Sequence, residues 1–203
     1  MEIGYTAVLA IAAFILGSVP FSVVIGRWLL KKDITKYGDN NPGSANVFRA
    51  GGPAIGMLAA VLDVSKGVPF VLLSHIIELP VLSPVIVAVC AVLGHAFSPF
   101  LHWHGGKAVA VTFGVMLGLL PQYDILLVFI IFMIACSLLV KSDSWGVIIS
   151  AVGTLAYLIA FNGYSWKPLL MLCLLAILVI KHFEDLHTLP SLRGRLVRRL
   201  QAR

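Results

Sequence analysis

The stretch that decides the fold class is YGDNNPGSANVFRAGG, residues Tyr37–Gly52. This polar segment, rich in glycine and asparagine, separates two apolar runs at about 4–31 and 53–77. Each run is long enough to cross a bilayer core of about 30 Å, so the segment is expected at a membrane surface. Its backbone N–H groups, its amides and the guanidinium of Arg49 favour phosphate binding. The alternative is an ordinary tight loop, which uses the same residue types.

The composition excludes an ordinary soluble domain. The 203 residues are 60% hydrophobic and 12% charged, with a mean hydropathy of +0.99, whereas soluble domains carry about 25% charged residues. The apolar runs are continuous and lack the alternation of a membrane β-barrel. The sequence therefore predicts an all-α polytopic membrane protein, one domain over residues 1–203, with about seven transmembrane helices. The predicted spans are 4–31, 53–77, 82–101, 108–121, 123–140, 145–161 and 167–181, the fourth being short enough for a tilted or partly re-entrant piece.

Basic residues are distributed unequally between the two sides of the predicted membrane domain. Alternating the connections places most of them on one side, namely Lys31, Lys32, Lys36, Arg49, Lys107, Lys141, Lys181 and the arginine-rich tail. The other side keeps Lys167 with Glu2, Glu78 and Asp124. By the positive-inside rule the N-terminus is expected outside and the C-terminus in the cytoplasm. The basic tail, about 186–203, either fixes this topology or lies on the anionic leaflet.

A second polar cluster is HWHGGKAVAV, residues His102–Val111. Gly105 and Gly106 lead into Lys107 where an apolar run begins, and a helix N-terminus followed by a lysine favours anion binding. The alternative is a lysine that extends its charge towards the membrane surface. The two histidines of the cluster lack a third ligand at suitable spacing, so we predict no metal site and no cofactor.

Two further clusters carry charge. His182, in the segment Lys181–Asp185, ends the last span, where a histidine can bind a phosphate or transfer a proton. A polar helix cap is the alternative. Asp63 and Lys66 lie three residues apart on one helix face, as a structural ion pair or as a substrate contact. Because the glycine-rich segments and the HFED cluster fall on one predicted face, we expect one shared cytoplasmic site.

These clusters, in this order, resemble those of the acyl-phosphate glycerol-3-phosphate acyltransferase family, PlsY, of bacterial inner membranes. The resemblance covers GSVPFSVVIGR from Gly17, the 38–52 loop, LDVSKG, GHAFSPFLHWHGGKAVAV and KHFEDL. It implies seven spans, an external N-terminus and a cytoplasmic active site. It also implies transfer of a fatty acyl group from acyl phosphate to the 1-hydroxyl of glycerol 3-phosphate, giving lysophosphatidic acid and phosphate. The implied partners are these substrates and membrane lipids, without nucleic acid.

The resemblance also implies roles for individual residues. It assigns catalytic roles to His182, Arg49 and Lys107. It assigns substrate or phosphate contacts to Asp39, Asn41, Gly43, Ser44, Asn46, Gly105, Gly106, Glu184 and Asp185. The chain departs from the family motifs GSGNxGATNVxR, KGGKG and RHRENI at several of these places. Aspartate replaces serine at Asp39, alanine replaces threonine at Ala45 and glycine at Ala108, and aspartate replaces asparagine at Asp185. The chain is therefore predicted to be a divergent member.

The resemblance implies a mechanism without an enzyme nucleophile, because acyl phosphate is already activated. Arg49, Lys107 and the loop amides are expected to hold two phosphates together and to stabilise developing charge. Either His182 or a substrate phosphate oxygen takes the hydroxyl proton. Two alternatives remain: a transporter of small anions, and a homologue that binds lipid phosphate with an altered acceptor or little catalysis. The first predicts polar residues deep in several spans, and the acidic replacements favour the second.

Overall fold

The computed structural model describes residues 2–120, 122–163 and 165–193. These residues form nine α-helices, three short 3-10 helices and no strand beyond one isolated bridge, which confirms the predicted helical fold class. The α-helices are α1 (Glu2–Ser18), α2 (Phe21–Trp28), α3 (Ser44–Ser65), α4 (Pro69–Ile76), α5 (Ser83–Ala96), α6 (Val109–Gly118), α7 (Asp124–Leu139), α8 (Asp143–Asn162) and α9 (Lys167–His182). The 3-10 helices are Ile34–Lys36, Pro99–Leu101 and Phe183–His187. Residues 194–203 of the predicted basic tail lie outside the described part.

Several helical stretches have the length and composition of membrane spans. Four qualify among the described residues, namely Glu2–Trp28, Ser44–Ile76, Ser83–Leu101 and Asp143–Asn162. Helices α6 and α7 are apolar but shorter, and α6 rises only about 15 Å, half of a bilayer core. The outward faces carry exposed leucine, isoleucine and valine side chains. The chain is therefore a membrane protein, while the number of seven spans and their orientation stay predictions.

Three apolar runs that the sequence presents as continuous are broken. The first run divides between Ser18 and Phe21 because Pro20, with φ −88° and ψ 68°, has no N–H to continue the helix. The second divides before Pro69, and the third ends at Ala96 and continues as a 3-10 turn. Each of the three stretches still has the length and composition of one candidate span, and hydropathy does not record the backbone breaks inside it.

The chain divides into two compact units, residues 1–123 and 124–203. In the first, α1 packs against α5, and α2 and α6 pack against α3. Gly17 of α1 and Gly94 of α5 lie against the backbone of the opposite helix, at Ala91 and Phe14. A side chain at either glycine would overlap that backbone. Small residues at such crossings let helices approach closely in a membrane.

Buried polar contacts hold the break between α1 and α2. Lys66 is the C-cap of α3; its Nζ lies 2.9 Å from Asp63 Oδ1 and donates to the carbonyl of Val19 at 2.8 Å. Ser22 Oγ of α2 donates to Asp63 Oδ2. Both charged side chains are at most 2% exposed. Of the two predicted alternatives, Asp63 and Lys66 thus form a structural ion pair, and the pair also serves a carbonyl at the helix break.

In the second unit, α8 packs between α7 and α9. At one end of these helices Asp124 accepts from Lys167 Nζ at 2.7 Å and from Asn162 Nδ2 at 3.0 Å. At the other end residues 188–193 lie along the turn between α7 and α8. The N–H of Lys141 donates to Ser191 O, and the N–H of Arg193 donates to Leu139 O, both at 2.9 Å.

Candidate active site

Half of the predicted polar loop is helical. Residues 44–51 form the first piece of α3, which begins after the N-cap Gly43. Gly52 ends this piece with φ 77° and ψ −176°, a conformation that glycine adopts readily, and Pro53 begins the second piece. The interpretation of Tyr37–Gly52 as a loop was therefore wrong beyond Gly43. The helical spacing places Val47 and Ala50 in a buried apolar cluster with residues of α2, which fixes the short piece beneath the remaining loop.

Asp39 is the hub of the polar contacts in this region. Its Oδ2 accepts from Lys107 Nζ at 2.6 Å across 68 residues of chain. Its Oδ1 accepts from Asn46 Nδ2 at 3.0 Å and from the N–H of Asn41 at 3.4 Å. Arg49 Nη1 lies 3.7 Å from the same Oδ1. The structure therefore brings the 37–52 segment and the GGK segment together at one carboxylate.

Asn46 orients Arg49. It is 1% exposed, and its Oδ1 accepts a hydrogen bond from Arg49 Nη1. Its Nδ2 also donates to the carbonyl of Asn41 at 2.8 Å, so that both ends of the amide are engaged. The Arg49 side chain is 49% exposed, and its described protein contacts involve Nη1. The remaining guanidinium N–H groups can therefore reach an incoming anion.

Gly38 allows this arrangement of Arg49 and Asn46. It has φ +57°, in the left-handed region that glycine tolerates best. A Cβ at this position would overlap Nη1 of Arg49 and Oδ1 of Asn46. The glycine before Asp39 thus lets both side chains lie against the backbone of the loop.

The GGK segment is held against the end of α5. The N–H of Gly106 donates to the carbonyl of His95 at 3.1 Å. A Cβ on Gly105 would overlap that carbonyl, and a Cβ on Gly106 would overlap the His95 imidazole. The two glycines therefore fix where Lys107 starts. Ala108 follows as the N-cap of α6 with φ 66°, which gives a physical reason for the glycine of the family motif, since this region costs other residues about 1–2 kcal/mol.

The Asp39 carboxylate is ionised at neutral pH. Partial burial raises the pKa of the Asp39 carboxyl, but the hydrogen bond and charge of Lys107 act in the opposite direction. Hydrogen bonds from Asn41 and Asn46 add to this effect, so the pKa lies below its usual 3.8. Asp39 is therefore ionised at pH 7, and one carboxylate against the cations of Lys107 and Arg49 leaves one net positive charge.

Lys32 is a positioning residue that the sequence analysis used only for its charge. Its Nζ donates to the carbonyl of Ala50 at 2.7 Å, at the end of the first piece of α3. It also lies 5.9 Å from the centre of the Tyr37 ring. A cation at a helix C-terminus satisfies a carbonyl without an intrahelical partner. The sequence carries no local signal for this contact, because Lys32 and Ala50 lie 18 residues apart and the helix at 44–51 was not predicted.

Three predicted site residues, His182, Glu184 and Asp185, belong to the second unit. His182 is 3% exposed, and its Nδ1 lies 2.8 Å from the carbonyl of Leu178. Because a carbonyl only accepts, Nδ1 carries the proton, and in the neutral ring Nε2 is an acceptor. Asp185 Oδ2 accepts from Ser144 Oγ at 2.6 Å, while Glu184 is exposed. The sequence analysis missed Ser144, and a single site that unites both units stays a prediction.

Comparison with known proteins gives the family. The family model described as glycerol-3-phosphate acyltransferase matches residues 7–191. A glycerol-3-phosphate acyltransferase of Lactococcus lactis is 36% identical over 189 residues, 90% of this chain and 89% of that protein. One of Streptococcus pneumoniae is 32% identical over 198 residues, 95% and 93% of the two chains.

Two solved structures have the same fold. They are crystal structures of PlsY, an integral membrane glycerol 3-phosphate acyltransferase, in its glycerol 3-phosphate and lysophosphatidic acid forms. Both are 27% identical in sequence, with TM-scores of 0.80 and 0.78, and each covers 89% of this chain. The match covers 90% and 89% of those chains. This chain therefore belongs to the glycerol-3-phosphate acyltransferase family.

Proposed function

We propose that this protein transfers a fatty acyl group from acyl phosphate to the 1-hydroxyl of glycerol 3-phosphate, at the cytoplasmic face of a bacterial inner membrane. One observation carries the proposal. Arg49 and Lys107, from segments far apart in sequence, lie 3.7 Å and 2.6 Å from the two oxygens of a single carboxylate. An arginine and a lysine that share one anion form an arrangement suited to phosphate.

The reaction requires positioning rather than a nucleophile from the protein. The 1-hydroxyl oxygen attacks the acyl carbonyl carbon, and the bond from that carbon to the phosphate oxygen breaks. Phosphate leaves with the bonding electron pair, and lysophosphatidic acid forms. Holding the two reactants together removes much of the entropic cost of the step. Fixed cations and N–H donors stabilise the negative charge that develops on the carbonyl and phosphate oxygens.

Each cation has a distinct part in this proposal. The guanidinium of Arg49, oriented by Asn46, binds one phosphate through paired N–H donors. Lys107, placed by Gly105 and Gly106, supplies a point charge. The loop residues Asn41, Gly43 and Ser44 lie at the start of α3, where backbone N–H groups favour an anion.

We assign the second-unit group to the same reaction through the family motif. In this assignment Nδ1 of His182 donates to the carbonyl of Leu178, and Nε2 takes the hydroxyl proton. The other route sends this proton to a phosphate oxygen of the substrate. Glu184 and Asp185 are proposed to contact substrate, with Ser144 orienting the Asp185 carboxylate.

The two alternative functions now differ in support. Transport of small anions depended on charge deep in the spans, but Asp63 and Lys66 bind each other, Ser22 and a backbone carbonyl. One observation still favours a homologue that binds phosphate with little catalysis: Asp39 contacts both Lys107 and Arg49, the cations on which acyl transfer would depend. Acyl transfer activity separates this candidate from the main proposal.

The experiment compares full-length protein in lipid with its Arg49→Ala and Lys107→Ala variants. Phosphate release from palmitoyl phosphate in the presence of glycerol 3-phosphate is expected to fall at least about 100-fold in each, as for loss of an electrostatic stabiliser. Lys36→Ala, which removes an exposed lysine of the same region, is the matched control and should retain activity. Near-normal release from both site variants would overturn the proposal.

A further inference from the structure

We propose that Asp39 is an internal counter-anion that holds the place of a substrate phosphate between Lys107 and Arg49. A phosphate then binds by exchange, because the carboxylate must leave these cations before the phosphate can contact both of them. Asp39 thereby sets the affinity of the site for phosphate and favours its release after the reaction. The inference rests on the proposed function for the identity of the phosphate.

The distances make simultaneous occupancy unfavourable. Lys107 Nζ lies 2.6 Å from Asp39 Oδ2, the length of a strong charge-assisted hydrogen bond. A phosphate oxygen at about 3 Å from the same Nζ therefore lies within about 6 Å of the carboxylate oxygen. At that separation two anions repel each other, and a dianionic phosphate doubles the effect.

Charge balance points the same way. With Asp39 ionised, the two cations and one carboxylate offer one net positive charge to a phosphate that carries two negative charges. Without the carboxylate the two cations match a phosphate dianion. The family motif has serine at this position, a neutral hydroxyl, so this chain has a different electrostatic balance at an otherwise matching loop.

The loop permits the carboxylate to move while Arg49 stays in place. Asp39 lies between Gly38 and Asn40, both at positive φ, and its side chain is 35% exposed. Arg49 has a second anchor besides Asp39, since Nη1 donates to the buried amide of Asn46, and that amide also donates to the carbonyl of Asn41. Departure of the carboxylate therefore leaves the guanidinium oriented for an incoming anion.

The experiment measures binding rather than turnover. Titration calorimetry with inorganic phosphate and with glycerol 3-phosphate compares the full-length protein with Asp39→Asn and Asp39→Ser. Asparagine keeps the size and the acceptor oxygen, and serine is the residue of the family motif. We expect both variants to bind phosphate about tenfold more tightly, the effect of removing one charge at about 6 Å from a dianion at high dielectric constant. Asp33→Asn removes an equal charge from a partly exposed carboxylate that contacts Thr35 just before this segment, and it should change affinity less than twofold.

The outcomes separate this inference from the proposed function. Tighter phosphate binding by both Asp39 variants supports the counter-anion even when the unchanged protein shows no acyl transfer, a result that would overturn the proposed function alone. Unchanged or weaker binding by both variants overturns the inference even in an active enzyme, because Asp39 would then position the cations for substrate. An equal gain in Asp33→Asn also overturns it, because the effect would then follow from net charge.

Discussion

Replacing Asn46 by alanine tests how the candidate site orients its arginine. The buried amide exchanges hydrogen bonds with the carbonyl of Asn41, the carboxylate of Asp39 and the guanidinium of Arg49. One neutral bond contributes about 1 kcal/mol, and each bond to a charged group about 1.5 kcal/mol or more. Because Asp39 and Arg49 are partly exposed, water replaces some of these contacts in the variant. We therefore expect a loss of about 2–3 kcal/mol in unfolding free energy.

The same change should reduce kcat/KM of acyl transfer at least about tenfold, because an unoriented guanidinium loses about 1.4 kcal/mol or more of transition-state contact. Thr35→Ala is the matched control, since it removes the hydrogen bond from Thr35 Oγ1 to Asp33 just before this segment and leaves Arg49 untouched. Arg49→Lys keeps the charge but changes the contact with Asn46. If Asn46 acts through Arg49, the double variant Asn46→Ala/Arg49→Lys loses less transition-state stabilisation than the two single variants lose together.

The measurements are thermal unfolding in one detergent and steady-state acyl transfer in the same preparation. Activity within twofold of the unchanged protein would refute the reasoning, since Asn46 would then not orient a catalytic group. Full additivity with Arg49→Lys would also refute it, because the two residues would act independently.

Three further predictions concern other contacts. Gly38→Ala should lower the free energy of unfolding by about 1–2 kcal/mol, because position 38 has a positive φ. It should lower acyl transfer activity by a larger factor than the loss of folded protein explains, because the added Cβ displaces Arg49. Thermal unfolding and kinetics measured in parallel test this, and an activity loss equal to the loss of folded protein would contradict it. Folding lowers the pKa of Asp39, so the contribution of this carboxylate to stability is complete above its unfolded pKa near 4 and is lost as the pH falls through its folded pKa. The difference in unfolding free energy between the unchanged protein and Asp39→Asn should therefore be constant between pH 5 and 7 and shrink below pH 4. Lys66→Met should destabilise by about 3–5 kcal/mol because it leaves Asp63 unpaired, and Asp63→Asn in addition should restore part of this loss, whereas a further drop would contradict the ion pair.

The helical fold class could be predicted because lipid requires continuous apolar runs with internally bonded backbones. The internal breaks of these runs could not, since hydropathy treats Pro20 and the residues around it as one span. The helix at residues 44–51 was missed for a related reason. The 37–52 segment as a whole is rich in glycine and asparagine, which favours a loop, but burial of Val47 and Ala50 against α2 stabilises the helix.

The site was predictable as residue types but not as contacts. Glycines beside Arg49 and Lys107 indicated anion binding, whereas the contact of both cations with Asp39 depends on tertiary folding across 68 residues. The sequence argument treated Asp39 as an acidic departure from the family motif that favours an altered acceptor or little catalysis. The structure adds that Lys107 and Arg49 neutralise it, which is why an acidic residue can exist there. The hydrogen bond from Ser144 to Asp185 could likewise not be predicted from the sequence, because it joins two helices that lie 41 residues apart in the chain.

The central claim is tested most directly by the stoichiometry of the reaction. Purified protein in lipid is supplied with palmitoyl phosphate and glycerol 3-phosphate, and inorganic phosphate and lysophosphatidic acid are measured together. The account predicts equal amounts of both products, formed only when glycerol 3-phosphate is present. Phosphate release without lysophosphatidic acid, or no consumption of palmitoyl phosphate, would contradict it.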